Sequence, residues 1–120
     1  MTEPTRNQRQ FSRVQFAAPV RLIGADGSTT VQLLNLSLKG ALVSRPPDWA
    51  IESGMLLALE LALVDNEYIR VNAKVAHSGA DRVGLFWEQI DLDSLTHLRR
   101  LVQLNLGDAA QLDRELAAMR

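Results

Sequence analysis

Between residues 14 and 87 the apolar side chains recur at every second position in short runs, each closed by turn-forming residues. A strand sends alternate side chains to opposite faces, so runs of this kind build sheet with one buried face. After Trp87 the spacing changes to three and four, through Leu95, Leu98, Leu101, Val102 and Leu106, which is the stripe of one helix face. Six short strands followed by helix predict an α+β fold: a closed or nearly closed six-stranded antiparallel β-barrel, with a C-terminal helix or helices packed on it.

The first run, residues 14–23, puts Phe16, Ala18, Val20 and Leu22 on one face, and Pro19 marks an edge or a bulge. Ala25, Asp26, Gly27 and Ser28 read as a turn of the Asp-Gly kind. Residues 29–34 and 40–44 form the second and third strands. Pro46 and Pro47 cannot donate to a ladder, so a loop follows and runs to Gly54. Residues 55–63 alternate most cleanly, with Met55, Leu57, Leu59, Leu61 and Leu63 inward and Glu60 outward. Residues 68–77 return with Ile69, Val71, Ala73 and Val75 inward, and residues 83–87 make the sixth strand. Asp91 and Asp93 stand where carboxylates favour a helix start, and Gly107 where a glycine ends one. Asp108 and Gln111 then resemble a capping box opening a second helix, striped by Leu112, Leu116 and Met119.

Composition narrows the function. At 120 residues, 47% of them apolar, the chain has the size and the apolar content for one domain with a real core. There is no cysteine, which removes disulfides and thiol chemistry and suits a reducing cytoplasm. No run of eighteen apolar residues occurs and the N-terminus lacks an apolar signal region, so a cytoplasmic protein without membrane contact is expected. Net charge is −1 but unevenly spread: residues 1–45 carry six basic against two acidic side chains, and residues 46–120 seven against twelve. A basic front on an acidic remainder suits a small anion better than DNA or RNA, which require a wide basic face. Eleven of the thirteen basic residues are Arg, whose planar fork matches phosphates and guanine edges.

Two alternatives are weaker. His77 and His97 lie on different elements, with no spacing for a catalytic triad or a metal site, so neither an enzyme nor a cofactor is expected. His77, at a strand end, reads as a packing or rim residue, and His97, beside Arg99 and Arg100, as part of a solvated helix face. An oligonucleotide-binding barrel would interleave aromatics with basic residues, whereas this chain has one Tyr and three Phe and no such strip.

Two short motifs carry the functional signal. Arg9-Gln-Phe-Ser-Arg13 precedes the first strand, and Asn35-x-Ser37-x-x-Gly40 joins the second to the third. In this order they resemble the two signatures of PilZ domains, receptors for the bacterial second messenger cyclic di-GMP. The run Val83-Gly84-Leu85-Phe86 is similar to the family's late strand, and residues 90–108 resemble the tail of single-domain adaptors of the pseudomonad-like type. The resemblance implies a basic arm, residues 1–13, mobile on its own, and a barrel domain over residues 14–120. It implies a cyclic di-GMP site built from Arg9, Arg13, Asn35, Ser37 and Gly40, with Arg6, Gln8, Gln10 and His77 as further candidates.

The chemistry agrees: two phosphates and two guanines call for guanidinium forks and short hydrogen-bonding side chains. Gln8 stands where close relatives carry Arg, which points to one ligand per chain rather than a stacked pair. A domain with no second unit must signal to a partner protein, and motility or chemotaxis machinery is the family's natural choice. The arm, the loop at residues 46–49 and the C-terminal helices with Arg99 and Arg100 are candidate contact surfaces. The runner-up within the family is a ligand-independent protein-interaction module, although relatives of that kind typically lose the arm arginines.

Overall fold

The computed structural model describes residues 12–106, 114 and 116–118. Six strands run β1 (Val14–Gly24), β2 (Gly27–Leu36), β3 (Gly40–Ser44), β4 (Leu56–Ala62), β5 (Tyr68–Ser78) and β6 (Arg82–Ile90), followed by helix α1 (Leu92–Leu106). They close into an antiparallel barrel in the order β1-β2-β3-β6-β5-β4. The predicted fold class is therefore the observed one. Inward positions of every strand meet in a single core in which Leu22, Leu33, Val43, Ala73 and Val83 are wholly buried.

The barrel closes where β1 meets β4, over three pairs: Arg21 with Glu60, Leu22 with Leu59, and Ile23 with Ala58. Leu22 and Leu59 fill the inside of this seam. On the outside, Glu60 points away from the core as expected, yet it is only 7% exposed because Arg21 and Arg70 lie over it from the neighbouring strands. Each guanidinium takes one carboxylate oxygen, so the charge row runs continuously across β1, β4 and β5. Pro19 lies just upstream of the seam, where β1 pairs with β2 alone, so the missing N–H interrupts no second ladder.

Alternation erred at a few places. Met55 is not inward; it precedes β4, is 38% exposed, and its sulfur accepts the Glu52 N–H. The tight hairpin between β1 and β2 is centred on Ala25 and Asp26 rather than on the Asp-Gly pair, with Gly27 taking the positive φ just after it. His97 is not solvated, because its Nδ1 lies 3.7 Å from a Glu67 carboxylate oxygen and its side chain is only 19% exposed. Gly107 and most of the expected second helix fall outside the described residues.

Arg45, at the end of β3, was legible only as the start of a proline loop. Its guanidinium donates to the Ser78 hydroxyl and to the carbonyls of Gly79, Trp49 and Ile51, tying the loop after β3 to the turn after β5. The Ser78 hydroxyl in turn donates to the Ile51 carbonyl at 2.8 Å.

Helix α1 docks on β5 and β1 through Leu98 and Val102, both wholly buried. The buried Ser94 hydroxyl accepts the Arg70 N–H at 2.9 Å, pinning the helix start to β5. Asp91 caps the helix by accepting the Ser94 N–H at 3.0 Å.

Two outcomes are expected. Arg45→Ala removes charge-assisted bonds from a half-buried hub and should lower unfolding free energy by about 2 kcal/mol in a urea titration. An aspartate carboxyl ordinarily has a pKa of 3.8, and the bonds from Ser94 hold that of Asp91 below this value. The cap therefore contributes fully above pH 3.8 and is lost as pH falls through the lower, folded-state value. Thermal melts across acid pH should show that Asp91→Asn removes this part of the pH dependence.

Candidate nucleotide site

The two halves of the sequence signature meet. Arg13 lies just before β1 and donates from Nη1 to Asn35 Oδ1 at 2.9 Å, across 22 residues of sequence. A bulge explains how Asn35 reaches the surface. Val31, Leu33 and Leu36 all point inward, which strict alternation forbids. Register slips between Leu33 and Asn35, so Leu34 and Asn35 both fall on the outer side, with Asn35 opposite Leu42 of β3 and Gln15 of β1.

Ser37 and Gly40 shape the turn that follows. Ser37 is 2% exposed; its N–H donates to the Gly40 carbonyl at 2.9 Å and its hydroxyl accepts the N–H groups of Lys39 and Gly40, each at 3.2 Å. Leu36 and Leu38, either side of it, are buried in the core. Gly40 is required by space. A Cβ there would lie 2.1 Å from the Leu85 carbonyl oxygen, so only glycine lets β3 approach β6 this closely. The Lys39 carbonyl accepts the Trp87 N–H at 2.8 Å, fastening the turn to β6.

His77 reaches the same outer surface by the same device. Val75 pairs with Leu85, His77 with Gly84 and Ser78 with Val83, so a second bulge leaves Ala76 and His77 outside, both exposed. Following the pairings, one row crosses the barrel through Gln15, Asn35, Leu42, Gly84 and His77. Asn35 and His77 are three strand steps apart, ~14 Å at the usual strand spacing. The row beside it holds Gly40, Phe86 and Lys74, with Phe86 43% exposed and the Lys39 ammonium 4.8 Å from its ring centroid.

The structure thus brings Arg13, Asn35, Ser37 and Gly40 together and sets His77 on the same outer surface. Arg6, Gln8, Arg9 and Gln10 lie outside the described residues. Sequence reading passed over Lys39 and Leu42, and quoted Gly84 and Phe86 in the late-strand run without placing them on this surface. The available signal was a glycine inside the sixth strand, where glycine weakens pairing and often marks close approach. Among the described residues no group of three or more His, Asp or Glu is placed to hold a metal ion, and no helix is long and apolar enough to cross a membrane.

The family model described as "PilZ domain" matches residues 7–104. Among solved structures, the chain resembles the PilZ domain of YcgR from Escherichia coli, determined with c-di-GMP: TM-score 0.68, 16% identity, covering 85% of this chain and 94% of that one. It also resembles the PilZ domain of CeSA from a cellulose-synthesizing bacterium, with TM-score 0.62, 22% identity and coverage of 80% and 96%. A third is the Bacillus subtilis inhibitor of motility (MotI/DgrA), with TM-score 0.69 and 18% identity; the match covers 83% of this chain and about half, 52%, of that longer chain.

The turn geometry ranks two substitutions. Gly40→Val should destabilise severely, because backbone of β6 occupies the space its side chain needs. Ser37→Ala leaves two N–H groups without their oxygen and should cost about 1–3 kcal/mol. Chemical denaturation of both variants and the parent checks the order.

Proposed function

Since the chain belongs to the PilZ domain family, we propose that it is a cyclic di-GMP receptor that passes the signal to a partner protein. The observation that carries this reading is the Arg13–Asn35 hydrogen bond, which joins the two halves of the family signature at one place on the barrel. The YcgR domain it resembles was determined with c-di-GMP bound. The chemistry required is a binding surface, not a reaction centre, so the protein acts as a cytoplasmic adaptor and not as an enzyme.

In this reading Arg9 and Arg13 supply guanidinium forks to phosphates and guanine edges, and Arg6, Gln8 and Gln10 extend the arm's contacts. Asn35 offers its amide to a base, while Ser37 and Gly40 hold the turn in the shape that admits the ligand. His77 lines the far side. Residues 1–13 contain few apolar side chains, Met1, Pro4 and Phe11, to offset an ordering cost of ~1–2 kcal/mol per residue. Ligand contacts supply the remainder, and the ordered arm together with the nucleotide forms the surface a partner reads. A motility or chemotaxis protein is the proposed partner; one protein of similar fold is itself named an inhibitor of motility.

Calorimetric titration with cyclic di-GMP tests the site. Saturable binding with one ligand per chain is expected, and Arg9→Ala or Arg13→Ala should each weaken it about ten- to hundredfold. Limited trypsin digestion tests the arm: saturating ligand should slow cleavage at Arg9. Binding unaffected by either arginine variant would refute the site, and arm cleavage indifferent to bound ligand would refute the ordering. Absence of any binding would leave the ligand-independent interaction module.

A further inference from the structure

We propose that the free edge of β2 at residues 28–31 pairs antiparallel with the same edge of a second copy of this chain, with Thr29 on the twofold axis. The pairing stands apart from the receptor reading and holds with or without a nucleotide.

The barrel is closed, but its strands are unequal. β2 has ten residues and β3 five. Their ladder ends where Leu33 faces Val43. After Ser44 the chain leaves β2, and the Arg45 N–H donates to the Asp81 carbonyl at 2.9 Å, in the turn between β5 and β6. The first residues of β2 are therefore paired with β1 alone. Gln32 gives the direction of the groups left over. Its N–H donates to the Ser44 hydroxyl at 2.9 Å, away from β1, where its partner Pro19 has no N–H to exchange. Backbone groups of an antiparallel ladder alternate sides, so Thr30 and Ser28 also turn N–H and C=O away from β1. Both residues are exposed, and among the described residues nothing bonds to these four groups.

An open edge is normally blunted by charge or proline. β1 follows that rule, with Pro19 in the stretch that β4 leaves unpaired. β2 does not: residues 27–35 contain neither a charged side chain nor a proline. Such an edge gives an acidic or basic partner no charge to read. It meets its own copy without like-charge repulsion.

The register follows from the same groups. With Thr29 facing Thr29 of the second copy, Ser28 lies opposite Thr30, and these two exchange both N–H···O bonds. The twofold axis repeats the exchange, so all four outward groups of each chain are satisfied. Gly27 then faces Val31, and the hairpin turns back at Asp26 before reaching Gln32, whose N–H Ser44 already holds. Placing Thr30 on the axis would instead set Ser28 against Gln32 and compete with that Ser44 contact. On the outer face the Ser28 and Thr30 hydroxyls of the two chains become cross-strand neighbours, a favourable pair. Asn35 lies ~20 Å along β2 from the axis, so the Arg13–Asn35 pair stays uncovered.

So short an edge buries little surface, and the dimer it makes is weak. Sedimentation velocity of the full chain, without nucleotide, should show a monomer–dimer equilibrium between micromolar and millimolar concentration. Thr30→Lys sets two like charges diagonally across the axis; it should weaken association at least tenfold and leave the melting temperature unchanged. Cross-linking tests the register, because the chain has no cysteine of its own. Thr29→Cys places its thiol in a non-hydrogen-bonded pair with Cα atoms ~4.5 Å apart, so diamide should convert it to a disulfide-linked dimer. Thr30→Cys, whose symmetry mate lies on the ~7–8 Å diagonal, should remain largely uncoupled. A parent that stays monomeric at millimolar concentration overturns the pairing. So does an association that folded Thr30→Lys leaves intact, or cross-linking as fast at Thr30→Cys as at Thr29→Cys. Should a cysteine variant melt early, sedimentation of the parent and Thr30→Lys decides alone.

Discussion

Everything in this fold depends on a seam of three residue pairs. β1 hydrogen-bonds to β2 along its length, but it meets β4 only through Arg21, Leu22 and Ile23. Without that short pairing the sheet would be open, with β1 and β4 as edges, and the core would lie uncovered on one side. The seam is reinforced from both faces. Leu22 and Leu59 pack inside it, and outside Arg21 and Arg70 share the carboxylate of Glu60. Exposed ion pairs contribute little alone, but here a buried carboxylate is matched on both oxygens, and removing either arginine would leave it under-satisfied.

The closed barrel then acts as a frame for its irregularities. A regular strand would point Asn35 and His77 into the core, where neither could be satisfied without a partner. Bulges in β2 and β5 instead turn each one outward. Because β3 and β6 lie between them in register, the two residues fall on one row. Fastening of the turn to β6, through the Lys39 carbonyl and the missing side chain of Gly40, keeps that row in shape. The site is thus built from departures from ideal sheet, supported by the ideal part.

That division explains what could be read from sequence. The period of two in residues 68–77 located β5 almost to the residue, and the shift to a period of three and four located α1, because burial enforces those periods directly. The bulges could not be found this way, since an extra residue in one strand is defined only by its partner. Arg45 was opaque for a similar reason: its acceptors are backbone carbonyls from Trp49, Ile51 and Gly79, which carry no residue-type signal. His97 was misjudged because its neighbour Glu67 comes from another element. The two motifs themselves were legible, yet Ser37 gave no hint that its hydroxyl would be buried inside the turn.

The Arg13–Asn35 bond carries one more implication. A guanidinium has only protons to offer, so the atom of Asn35 facing Arg13 must be its oxygen. The amide nitrogen is then the end turned away from the arm, and the surface it presents to a visitor is purely donating. In the proposed receptor, a base docked there while the pair persists would be read for lone pairs rather than for protons, as the O6 and N7 edge of guanine would supply. An aspartate in the same place would present the reverse polarity. In the proposed receptor, one side chain would thus set not only whether a base is held, but which of its edges is turned toward the protein.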